Sequence, residues 1–105
     1  MSTSRPLEIL HIDLCGPMSI MSRGGKRYVC VIVDDYSRCT WTLFLASRDE
    51  TFVKFVAFIK KVEKRVRRLL VCLRSDHGTE FENSNFIDYC NEHGVEHNFS
   101  APKTP

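Results

Sequence analysis

The chain has no apolar run approaching the roughly 18 residues that a bilayer-spanning helix needs, and Met1-Ser2-Thr3-Ser4-Arg5 leads into no signal-like apolar segment. Both absences point to a soluble, intracellular protein. Charge of one sign is also scarce. A formal net charge of +2 neither demands nor excludes a nucleic-acid partner, so local clustering has to decide. No C-x-x-C pair occurs among the five cysteines, Cys15, Cys30, Cys39, Cys72 and Cys90, which are odd in number and widely spaced. Four of them lie in or beside apolar runs, which reads as buried free thiols in a reducing compartment rather than a disulfide framework. There is no internal repeat or low-complexity segment, and 105 residues leave little room for a second domain. One domain over residues 1–105 is expected. At this length a domain buries on the order of 60 to 70% of its unfolded surface, and 43% hydrophobic residues suffice for a core.

What is present is a succession of apolar runs with two different periods. Leu7-Glu8-Ile9-Leu10-His11-Ile12 belongs to a first strand, about Glu8 to Cys15, stopped by Gly16-Pro17. Ser22-Arg23-Gly24-Gly25 then connects tightly to Tyr28-Val29-Cys30-Val31-Ile32-Val33. The unbroken, β-branched character of that run predicts a central strand covered on both faces. Asp34-Asp35-Tyr36-Ser37-Arg38 supplies turn chemistry before a third strand, Thr40 to Leu45. Links this short predict an antiparallel meander. Ser47-Arg48-Asp49-Glu50 has the S-x-x-E form of a capping box, and Phe52, Phe55, Val56, Ile59, Val62 and Val66 follow at helical spacing. A strand over Leu69 to Arg74 would then return parallel to an earlier one by a right-handed crossover. A second helix over Asn85 to Glu92, ended by Gly94 in a left-handed cap, leads to a short last strand from Val95 to Phe99. The order β-β-β-α-β-α-β describes a mixed α/β sheet with helices against it.

Asp13 and Asp76 each close an apolar run, and each is followed closely by a glycine, Gly16 and Gly78. Both carboxylates would sit at the ends of buried strands, where an unpaired ionised group is too costly to keep. A divalent cation shared between them would supply the missing partner; turn formation is the plainer alternative for each. Asp34 and Asp35 are adjacent and so face opposite ways on a strand, which assigns them to turn and structural hydrogen bonding. His11 shares the parity of Asp13 and either supports that carboxylate or packs in the core. In the basic run from Lys60 to Arg68, Lys60, Lys61, Lys64 and Arg65 either meet DNA phosphates or form a solvated helix face. Cys90, His93 and His97 offer zinc-ligand chemistry. Gly94, however, breaks the helix that would align His93 with His97, and no second close ligand pair exists.

Four segments, in order, resemble successive motifs of one family. Arg5-Pro6-Leu7-Glu8-Ile9-Leu10-His11-Ile12-Asp13-Leu14-Cys15-Gly16-Pro17-Met18 resembles the opening of the integrase core in copia-type retrotransposon Pol polyproteins. Ile32-Val33-Asp34-Asp35-Tyr36-Ser37-Arg38, Leu73-Arg74-Ser75-Asp76-His77-Gly78-Thr79-Glu80-Phe81 and Phe99-Ser100-Ala101-Pro102-Lys103-Thr104-Pro105 are similar to later motifs of the same family. The resemblance covers nearly the whole chain. It implies an RNase H-like fold: a mixed five-stranded sheet, three antiparallel strands then parallel ones, with helices packed on it and the C-terminal helices missing from these residues. It also implies a D, D, E set of catalytic, metal-binding carboxylates that hold Mg2+ (or Mn2+), Asp13 matching the first and Asp76 the second. The third, a glutamate, falls past Pro105 when counted on from Asp76. His77 stands where many relatives carry Asn.

The activity implied is DNA 3'-end processing and strand transfer in DNA integration. The implied partners are element ends and target DNA, with no membrane, and the implied place of action is the nucleus; full-length members are expected to oligomerise. With two carboxylates of three, the 105 residues by themselves are expected to be an inactive fragment of the catalytic core. The alternative is a non-enzymatic remnant that at most binds nucleic acid through its basic helix. A sheet lacking some of its helices is also expected to leave an apolar patch exposed.

Overall fold

Alternation along each strand decides which side chains meet the helices. The structure is a computed structural model, and it describes residues 4–16, 28–75 and 84–99. Five strands, β1 (Ile9–Cys15), β2 (Tyr28–Asp34), β3 (Thr40–Leu45), β4 (Cys72–Ser75) and β5 (Glu96–Phe99), form one sheet in the order β3-β2-β1-β4-β5. Two helices, α1 (Thr51–Val66) and α2 (Ser84–His93), precede β4 and β5. β1, β2 and β3 pair antiparallel, as the short links require, while β4 joins β1 and β5 joins β4 in parallel. The mixed sheet is the one expected, with β1 at its centre.

Residues paired across strands share a face. Leu10 and Ile12 of β1, Cys30 and Ile32 of β2, Leu45 of β3 and Leu73 of β4 are all buried on one side, against Phe55, Ile59 and Val62 of α1 and Phe86 and Cys90 of α2. Edge-to-face aromatic contacts extend this core: Phe52 lies 5.1 Å from Phe86 and Trp41 lies 5.3 Å from Phe58, centroid to centroid. Each such pair contributes about 0.5–1.5 kcal/mol beyond simple burial. The opposite face carries Val29, Val31 and Val33, which are only half-buried, beside Thr40, Thr42 and Phe44 of β3. Phe44 is 54% exposed. β2 is therefore covered on one face among the described residues, not on both, and it stands one place from the sheet edge. Its β-branched residues favour a strand on either face and do not report burial.

Two local expectations change in the same way. The S-x-x-E segment forms a 3-10 turn over Arg48–Glu50, and the Ser47 hydroxyl makes no capping hydrogen bond. Glu50 reaches back one residue further than a capping box demands, accepting from the Ala46 amide at 2.8 Å. The fourth strand starts at Cys72 rather than Leu69, and Leu69 is 75% exposed. Leu7, the residue that Val71 pairs with through its amide (3.1 Å), has φ 65°, so the neighbouring chain is not yet extended there. Gly94 ends α2 at φ 67°, as expected of a left-handed cap. No described helix is long and apolar enough to cross a membrane.

The turn after β2 is organised by Asp34, which is 1% exposed. One carboxylate oxygen accepts from the Leu7 amide at 2.9 Å, and the other from the Ser37 amide and hydroxyl at 2.8 and 2.7 Å. This bears out its structural reading and extends it, because Leu7 is 27 residues away. Asp34→Ala would leave buried amides unpaired, at about 1–3 kcal/mol each. Denaturant unfolding of this variant is therefore expected to show a loss of about 2–5 kcal/mol, with a smaller loss in Asp34→Asn. A change under about 0.5 kcal/mol, the ordinary scale for surface substitutions, would remove Asp34 from this role.

Candidate functional site

The face of the sheet opposite the helices holds the candidate chemistry. His11 and Asp13 point to it from β1, Val31 and Val33 from β2, and Arg74 from β4, because these residues are paired: His11 with Val33 and Arg74, Asp13 with Val31. With Ile12 and Ser75 they line an open cleft of about 360 Å³. Asp13 is exposed and β1 runs two residues beyond it, so it stands within an open strand and not at a buried strand end. The cost of burying a lone charge therefore does not arise, and the carboxylate is reachable from solvent. An exposed carboxylate is the oxygen donor that hard divalent cations take.

Asp76 lies outside the described residues. It follows directly on Ser75, whose partner on β1 is Ile12. Among the described residues no group of three or more His, Cys, Asp and Glu side chains could hold a metal ion. His11 is not a packed core residue: its side chain is 37% exposed, and Nε2 lies 3.0 Å from Asp35 Oδ1. Asp35 thus turns to the cleft face while Asp34 turns to the core, the opposition expected of neighbours on a strand. Sequence reasoning missed Arg74. The signal available was a single charge directly after the apolar run Leu69 to Leu73, two residues before Asp76.

The basic helix is on the other side. Lys60, Lys61, Lys64 and Arg65 are all exposed on α1, which packs against the face that Asp13 does not occupy. Lys61 and Arg65 border a separate groove of about 380 Å³ with Trp41, Phe58, Val62 and Val66. The structure brings Asp13, His11 and Arg74 together and keeps the four cations apart from them. The disfavoured zinc grouping does not assemble either. Cys90 is buried, His93 stacks on Tyr89 at 4.3 Å, and His97 Nε2 meets the Ser75 hydroxyl at 3.0 Å.

The integrase core domain model matches residues 3–105. The chain belongs to this family. It is 40% identical, over 94% of its length, to the retrovirus-related Pol polyprotein from transposon TNT 1-94 of Nicotiana tabacum, and it spans 8% of that polyprotein. It is 34% identical, over 99% of its length, to the Pol polyprotein from transposon RE2 of Arabidopsis thaliana, of which it spans 7%. Among solved structures it is similar to the HTLV-2 integrase catalytic core domain in complex with magnesium, in a trimeric form, with a TM-score of 0.69 at 16% identity over 90% of this chain and 60% of that one. The mixed sheet with its two helices is thus the RNase H-like fold of integrase cores, as the four motifs implied.

The thiols of this integrase core divide by face and burial. Burial pushes Cys30 up to about 12, helped by the charges of Asp13 and Cys15, and burial pushes Cys90 up to about 11. Cys72 is raised as well, first by burial and then by Glu96. Cys15 and Cys39 are exposed, so the expectation of buried thiols holds for three of the five. A raised thiol pKa means that the folded chain keeps protons the unfolded chain releases above about pH 9. This contribution to stability is complete below that pH and is lost as pH climbs toward 11–12. At pH 8 a thiol-disulfide reagent is expected to label Cys15 and Cys39 in the folded chain and the other three only on unfolding. Rapid native labelling of Cys30 would contradict this.

Proposed function

We propose that the chain is part of a retrotransposon integrase catalytic core, ancestrally a Mg2+-dependent (or Mn2+-dependent) enzyme of DNA 3'-end processing and strand transfer. The observation that carries this reading is Asp13, a solvent-facing carboxylate on the central strand, lining an open cleft in an integrase core. Asp13 and Asp76 are the metal-binding, catalytic residues of the proposal. Its oxygen chemistry suits Mg2+, which keeps waters that substrate phosphates replace. A bound divalent cation would supply charge neutralisation and activation of the attacking oxygen. What Asp13 itself contributes is a fixed negative charge on a strand hydrogen-bonded on both sides, so the cleft is organised before substrate arrives.

DNA, as element end and target, is the partner in this reading. Oligomerisation and action in the nucleus belong to it too, in keeping with the trimeric form of one structural neighbour and with the intasome of simian T-cell lymphotropic virus, another neighbour (TM-score 0.78, 15% identity, covering all of this chain and 36% of that one). Residues 1–105 make up part of one catalytic domain, with no second domain among them. With two of the three carboxylates the family resemblance implies, the 105 residues alone bind a cation and do not join DNA ends. Mn2+ added to the 15N-labelled chain is expected to broaden the amides of Ile12 to Leu14 and Val31, and Asp13→Asn to abolish that broadening. Strand transfer by the purified 105 residues, lost in Asp13→Asn, would overturn the inactivity.

A second reading is favoured by the four exposed cations of α1, which form two adjacent rows, Lys60 with Lys64 and Lys61 with Arg65. Here the chain binds nucleic acid through phosphate contacts without chemistry. Reversing all four charges is expected to weaken duplex DNA binding at least tenfold at low salt and to flatten its salt dependence. Unchanged affinity with no salt dependence in either protein would leave these residues as a solvated helix face.

A further inference from the structure

Arg74 is a cationic group lining the cleft. It is half-buried, and no hydrogen bond or ion pair joins it to any described residue. Two described acidic groups on this face are engaged with other residues. Asp35 holds His11, and Glu96, on the same face, accepts from Asn98 Nδ2 at 3.2 Å. A guanidinium partly withdrawn from water, with a planar fork of donors left open, is suited to an anion with two oxygens in one plane. His11 stands beside it on β1, pinned by Asp35 at 3.0 Å, and Asp13 is two residues further along. Strand spacing puts the Arg74 and Asp13 Cα atoms roughly 8 Å apart. Both side chains leave the same face of the sheet over that spacing, so one phosphate group between them can present oxygens toward both.

We propose that Arg74 is a substrate-binding residue that takes the non-bridging oxygens of a DNA phosphodiester lying in the cleft beside Asp13. The inference rests on the reading of Asp13 as a cation ligand, and it adds the group that receives the phosphate. Arg74 holds the phosphate from one side, and a cation held by Asp13 would supply positive charge on the other. Asp35 fixes the His11 ring on the same face. Arg74 does not act through Asp13, so the two contributions separate experimentally.

The test is a titration of the folded 105-residue chain with thymidylyl-3',5'-thymidine, whose single phosphodiester is too short to reach both this cleft and α1. The Arg74 Nε–H signal is expected to shift saturably without metal, together with the amides of His11 and Val33. Binding is expected to weaken about tenfold in Arg74→Gln, as loss of a charged hydrogen bond implies, and less in Arg74→Lys. An Arg74 signal that stays still in the wild-type chain overturns the proposal, and so does an Arg74→Gln protein that keeps its amide spectrum and binds within twofold. Asp13→Asn separates the two readings. It should lose Mn2+ broadening yet keep the metal-free Arg74 shift. Persistent Mn2+ broadening in Asp13→Asn overturns the cation reading of Asp13, and with it the proposed pairing of cation and guanidinium.

Discussion

One buried carboxylate holds the strand arrangement together. Asp34 accepts from the backbone of Leu7 and of Ser37, which fixes the entry to β1 against the exit from β2. Leu7 in turn accepts from Val71, so the start of β4 is tied to the same point. A charge with almost no exposure is tolerated because both oxygens have charge-assisted donors. Pairing of β1 with β2 follows from that anchor, and a one-residue slip would send Asp13 to the helix-covered face and Leu14 to solvent. The location of the cleft is therefore a consequence of a residue that does not line it.

The sheet separates two jobs. One face supplies cohesion through apolar contacts with α1 and α2, and the other presents polar side chains among half-buried valines. β1 belongs to both at once, alternating Leu10 and Ile12 with His11 and Asp13. Substitution on the cleft face can therefore alter ligand chemistry while the helix-covered core stays packed. The basic face of α1 is outside this arrangement, divided from the cleft by the thickness of the sheet.

Much of this was legible in the order of residues, and the remainder was not for physical reasons. The stripe from Phe52 to Val66 fixed α1 because a helical period maps directly onto a packed face. The parity of His11 and Asp13 put both on one side of a strand, which side chain alternation guarantees. The run Val29 to Val33 was misleading, since β-branched residues mark a strand without saying how many of its faces are covered. Ser47 to Glu50 matched a cap by spacing, but a 3-10 turn moved the donor that Glu50 reaches to the Ala46 amide. His11 could not be assigned until its contact with Asp35, 24 positions away, was known. Arg74 escaped notice because its place beside His11 depends on parallel pairing, which no local pattern encodes.

That pairing has a consequence for the order of assembly. The meander of β1, β2 and β3 joins neighbours along the chain, whereas β4 reaches β1 across more than fifty residues. Contacts of long sequence separation come after the entropy of loop closure has been met, and they slow folding. Asp13 can be held in its strand by local partners alone; Arg74 arrives only when α1 has crossed the sheet. The cleft is thus a product of completed folding, and a chain whose crossover fails keeps its carboxylate but has no site around it.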